Sequence, residues 1–213
     1  MVKCAQRMVI THHGGQCFKV TFGDLTLVFD PISKSGTLPA VKFGSDIALV
    51  SRNHANFNGV DEVTYGDKEP FVIAGPGEYE RGGVTIQGFP TKGPQEGLNT
   101  MYVVNLEDMT LVHLGALSSK ELPQEAREAL DDIDVLFVPV GGEDVLSPKE
   151  AHELAVSLEP HLIIPMHWSG MGGEKSLDTF LKEEGGGAER VDKLTLKKKD
   201  ALTRDGDIIV LTP

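Results

Sequence analysis

The sequence predicts a mixed α/β protein, and three observations predict it. Short β-branched runs recur through both halves, one strongly capped helix lies in the second half, and weaker helical stretches fall between the later strands. In the first half the runs are 8–11, 17–22, 25–29, 47–50, 71–74 and 84–88, each bounded by Gly, Asp, Asn or Pro. Gly23-Asp24 separates two of them as a two-residue hairpin turn. In the second half the runs are 101–105, 110–112, 135–138, 162–164, 193–197 and 208–211. Ser147-Pro148-Lys149-Glu150 combines an N-cap serine, a proline at the first helical position and a capping-box glutamate. Ala151, Leu154, Ala155 and Leu158 then follow helical spacing until Pro160 stops the run, which predicts a helix over 148–158 packed on a sheet. Further helices are expected over 120–130 and 176–184, the second ended by Gly185-Gly186-Gly187.

No linker or short-period repeat divides the chain, so residues 1–213 are expected to form one domain. A chain of 213 residues buries about 70% of its unfolded surface, so its fold needs no disulfide or metal staple. Lys and Arg number 20 against 32 for Asp and Glu, a net charge of -12, which argues against nucleic acid and anionic lipid as partners. Two cysteines, Cys4 and Cys17, are too few for a disulfide scaffold. The opening MVKCAQRMVITHHGG lacks the apolar core of a signal peptide, and no apolar run approaches the roughly 20 residues of a membrane-spanning helix. A cytoplasmic location is expected. Lys197-Lys198-Lys199 is expected as a solvated strand end.

Three of seven histidines share a position. His54, His113 and His167 each stand where an apolar run ends, and side chains at strand ends of an α/β sheet converge on one rim. His152, inside the capped helix, and His161, just past it, are expected on the surface. His12 and His13 are expected at a sheet edge. Gly14-Gly15 and Gly141-Gly142 lack the dinucleotide fingerprint, Trp168-Ser169-Gly170 lacks a nucleophile elbow, and Cys17 falls in a predicted strand.

The order of segments resembles the metallo-β-lactamase-fold hydrolases, in their compact branch of lactonase-like and metal-dependent hydrolases. The matching stretches are ITHHGGQCFKV, Phe29-Asp30-Pro31, LVSRNHANFNGV, GPGEYE, Asn99-Thr100-Met101-Tyr102, VHLGAL, VLFVPVGG and IIPMHW. The resemblance implies a four-layer αββα sandwich with its site along one edge of the two sheets.

The departures from the family pattern bear on function. Where the family reads H-x-H-x-D-H, this chain places Arg52, His54, Asn56 and Phe57, and where the family reads His-x-Gly-Asp it places His113-Leu114-Gly115-Ala116. By this resemblance three of the family's seven ligand positions remain, as His54, His113 and His167. Arg52 has no lone pair to donate and Phe57 has no ligand atom, while the carboxylates that would offset two cations are absent at Asn56 and Ala116. A dinuclear centre, with ions about 3.5–4 Å apart, would lack its bridging group.

The leading expectation is therefore a member without a bound metal, non-catalytic or binding a small anion in a pocket drawn from Asp30, Arg52, His54, Asn56, Glu78, His113 and His167. Arg52 would supply a planar fork and the histidines hydrogen bonds. Equally open is closure of the old site by pairing of Arg52 with Asp30, Glu78 or Glu80. The alternative is a one-zinc hydrolase of small esters, lactones or phosphoesters, with His54, His113 and His167 holding the ion. Homo-oligomerisation is left open.

Overall fold

The computed structural model describes residues 6–171 and 173–213; Cys4 lies outside them. In chain order the strands are β1 (Met8–His12), β2 (Phe18–Phe22), β3 (Leu25–Phe29), β4 (Ile47–Leu49), β5 (Phe71–Ile73), β6 (Gly77–Arg81) and β7 (Val84–Lys92). There follow β8 (Leu98–Leu106), β9 (Met109–His113), β10 (Val135–Pro139), β11 (Leu162–Met166), β12 (Ala188–Val191), β13 (Lys193–Leu196) and β14 (Asp207–Leu211). The helices are α1 (Gln124–Glu128), α2 (Pro148–Leu158), α3 (Glu174–Glu183) and α4 (Lys198–Ala201).

The strands form a six-stranded sheet, ordered β13-β1-β2-β3-β4-β5, and an eight-stranded one, ordered β12-β14-β11-β10-β9-β8-β7-β6. Alternation along the strands sends Val20, Leu27, Phe29, Ile47 and Leu49 into the layer between the sheets. There Phe18 and Phe29 meet Phe137 of β10 at ring distances of 4.7 and 5.7 Å. Val28 and Ala48 point the other way, into a smaller cluster with Cys17, Ile32, Leu38, Val41 and Val63 under the irregular segment after β3. Over the eight-stranded sheet α2 packs on β10, and α3 on α2.

The predicted hairpin is present, with Phe22 facing Leu25 across Gly23-Asp24. The capping box of α2 is formed in both directions, Ser147 with the Glu150 backbone and Glu150 with the Ser147 backbone. The helix expected over 120–130 contracts to α1, because Pro123 at its N-cap is extended, with ψ 150°, and disfavours helical backbone in the residue before it. Two strands were not legible: β6 reads GEYER and β12 reads AERV, both charged sheet edges without apolar alternation.

Three further expectations are corrected, and the surface placing of His152 and His161 is refined. His12 lies on the interior strand β1, not at an edge, and is 3% exposed because it stacks on Phe18 at 4.6 Å. His152 and His161 are half-buried, with Glu184 2.8 Å and Asp132 3.3 Å away. The lysine triplet opens α4, and Lys198 bonds Asp132 and the fully buried Asp134, each at 2.8 Å. Cys17 precedes β2 instead of lying in it, and burial pushes its thiol well above the ordinary range.

Candidate functional site

Parallel pairing of β9, β10 and β11 brings their C-terminal ends to one rim, with His113 closing β9 and His167 immediately following β11. His113 is completely buried and stacks on Phe29, ring centroids 4.6 Å apart and planes within 3°. Its Nε2 lies 3.1 Å from the Gln16 carbonyl, which can only accept, so that nitrogen carries the proton. Its Nδ1 accepts the Gly115 N–H at 3.2 Å. Both ring nitrogens are therefore engaged within the fold. Burial pulls the His113 pKa down to about 3.

His167 is held in the left-handed region, φ 62°, a strained conformation for a residue with a side chain. Its N–H donates to the Gly15 carbonyl at 2.8 Å, and the Gln16 carboxamide nitrogen lies 2.6 Å from its Nδ1. The ring packs where a Cβ on Gly141 would stand 2.6 Å from its Cδ2, so only glycine fits there. Burial lowers the His167 pKa to about 4.

Asp30 ends β3 and is 1% exposed. It accepts from the Ser51 backbone N–H and hydroxyl, both at 2.7 Å, and its burial raises its pKa to about 7. Asp30 thus holds the start of the loop that carries Arg52, His54, Asn56 and Phe57. The Asn56 amide is spent on Thr37, accepting its N–H at 2.8 Å and donating to its hydroxyl at 2.9 Å. His54 is exposed, and its Nδ1 accepts the Asn56 N–H at 3.2 Å. Phe57 touches both imidazoles, 5.4 Å from the His54 ring and 6.1 Å from that of His167.

The structure does not gather every residue the sequence singled out. Half-buried Arg52 turns its guanidinium toward Gly97 and has no carboxylate within 4 Å among the described residues, so the expected closure by Asp30, Glu78 or Glu80 is not made. Glu78 is exposed on β6 and separated from β9 by β7 and β8, through Gln87, Val103 and Val112, which puts it about 14 Å from β9, the strand that ends in His113, and further from His167 beyond β11. Two residues of the site lie in stretches that match the family but were not singled out as site residues. Gln16 reaches both histidines, and Asn99 holds the loop after β9 by accepting the Ala116 N–H at 2.8 Å and donating to the Leu114 carbonyl at 2.9 Å.

Comparison with known proteins gives this rim its context. A family model for the beta-lactamase superfamily domain matches residues 9–167. The chain belongs to the metallo-β-lactamase superfamily. A metallo-β-lactamase-superfamily structure from Thermotoga maritima is 32% identical, covers 96% of this chain and 98% of its own, and superposes with a TM-score of 0.78. A UPF0173 protein of Pyrococcus abyssi is 24% identical over 83% of this chain and 90% of its own length. A UPF0173 metal-dependent hydrolase of Methanoculleus marisnigri is 28% identical over 76% and 81%.

Those relatives raise the question of whether the residues present suit a metal ion. A zinc ligand needs a bare imidazole lone pair at about 2.0–2.1 Å. His113 offers none, since Nε2 donates and Nδ1 already accepts. Among the described residues no three His, Cys, Asp or Glu side chains converge on one point. The donor set as arranged does not fit a metal centre.

Proposed function

We propose that this member of the superfamily takes a small anion at its rim and does not hold a dinuclear metal centre. The observation that supports this reading most strongly is the engagement of both His113 ring nitrogens inside the fold. Ligation through either would orphan the Gln16 carbonyl or the Gly115 N–H, a cost of about 1–3 kcal/mol for each buried group left unpaired. Asn56 and Ala116 stand where the family resemblance would put anionic ligands, and neither carries charge. Arg52, without a carboxylate partner among the described residues, supplies a permanent cation one residue from Ser51.

The second reading, a one-zinc hydrolase of small esters, lactones or phosphoesters using His54, His113 and His167, draws support from relatives named as metal-dependent hydrolases. One pair of measurements separates the two. Elemental analysis of protein purified without chelator is expected to find far less than one metal ion per chain. Calorimetric titration with inorganic phosphate is expected to give binding that weakens in Arg52→Met, which removes the cation from the loop carrying His54. About one zinc per chain, lost in His54→Ala, would overturn the proposal. His54 is exposed, so that variant keeps its fold.

A further inference from the structure

Gln16, buried at the rim, bridges two strands' ends in a way that fixes the chemistry of His167. Its carboxamide nitrogen lies 3.1 Å from the Gly115 carbonyl and 2.6 Å from His167 Nδ1. A carbonyl can only accept, so Gly115 dictates which end of the amide faces this corner. Turned over, Gln16 would set its oxygen against the Gly115 oxygen. With the NH2 group in place, one proton goes to Gly115 and the other to Nδ1, which must be bare. The remaining imidazole proton then sits on Nε2, which has no partner among the described residues. The cost of this arrangement is visible: the Gln16 side-chain oxygen, Oε1, is buried and unpartnered among the described residues.

We infer that Gln16 is a positioning residue that locks His167 as its Nε2–H tautomer, so that the rim presents a hydrogen-bond donor and selects an oxyanion, carboxylate or phosphate, over a cation. The inference rests on the reading of the rim as metal-free and adds the group that sets its polarity. A carboxylate at this position would do the reverse, accepting a proton from Nδ1 and baring Nε2 for a metal, as second-sphere carboxylates do at zinc histidines.

The test is long-range 1H–15N correlation of the histidine rings in chelator-treated protein near neutral pH, with His167 assigned from a His167→Gln spectrum. The wild-type ring is expected to show a protonated Nε2 and a bare Nδ1, and added inorganic phosphate should shift the Nε2 resonance. In Gln16→Glu the two nitrogens are expected to exchange roles and the phosphate shift to vanish. A proton on Nδ1 of the wild type, a mixture of tautomers, or a phosphate titration that leaves Nε2 unmoved would overturn the inference. The wild-type spectrum decides even if Gln16→Glu does not fold. Because the tautomer is read in metal-free protein, its failure is separate from the discovery of a resident zinc ion, which elemental analysis alone reports.

Discussion

Replacing His113 by alanine is expected to destabilise the chelator-treated protein by about 3–5 kcal/mol, measured by urea unfolding. The ring is fully buried and stacked on Phe29, so its loss leaves a cavity where the two sheets meet at the rim. It also strips a partner from the Gln16 carbonyl and from the Gly115 N–H. A histidine serving mainly as a metal ligand would behave otherwise: removing it from stripped protein would relieve a cluster of unfilled donors at little cost. A loss below about 1 kcal/mol in chelator, growing when zinc is added to the wild type, would contradict the account.

The second large effect is in the pH dependence of stability, where histidines with lowered pKa values, His113 and His167 among them, oppose one aspartate. His113 and His167 have folded pKa values near 3 and 4, below the 6.5 of an unfolded histidine. Between those limits the unfolded chain binds protons that the folded one refuses. Their contribution is complete above pH 6.5 and falls by about 1.4 kcal/mol per pH unit for each residue as pH drops. Asp30 works in the opposite sense. Its folded pKa near 7 exceeds the unfolded 3.8, so its contribution is complete below about pH 4 and disappears as pH rises through 7. Asp30→Asn removes this opposing term. Between pH 6.5 and 4.5 the variant is therefore expected to lose about 2.5 kcal/mol more than the wild type. Parallel pH profiles for the two proteins would mean that Asp30 ionises in the fold at its ordinary value.

Much of the scaffold could be read from residues alone, because burial writes itself into sequence. The β-branched runs between turn residues became β1–β5, β7–β11, β13 and β14 with ends shifted by a few positions, since their apolar faces fill the space between two sheets. Ser147 and Glu150 marked α2 because a capping box is a local interaction. The edges β6 and β12 left no such mark. Glu78, Glu80, Glu189 and Arg190 are side chains of exposed edge strands, and it is backbone pairing with β7 and β14 that makes them strands.

The candidate site was legible to the same degree. His113 and His167 stood out because strand ends carry sites, and the structure does bring them to one rim. Gln16 did not stand out, because nothing local in GGQCF says that its amide will meet a ring 151 positions away. Arg52 was singled out for its charge, but its direction, toward Gly97 and away from Glu78, depends on how two loops pack.

At the rim His113 spends both ring nitrogens on the protein's own backbone and His167 spends its Nδ1 on Gln16, so these three nitrogens are not offered to a cation. An anomalous-difference map recorded at the zinc absorption edge, from crystals grown with a zinc salt, tests this central claim most directly. The account predicts no density at ligand distance, about 2 Å, from His113 or His167. A well-occupied ion bonded to either ring, with the Gln16 and Gly115 contacts broken to admit it, would contradict it.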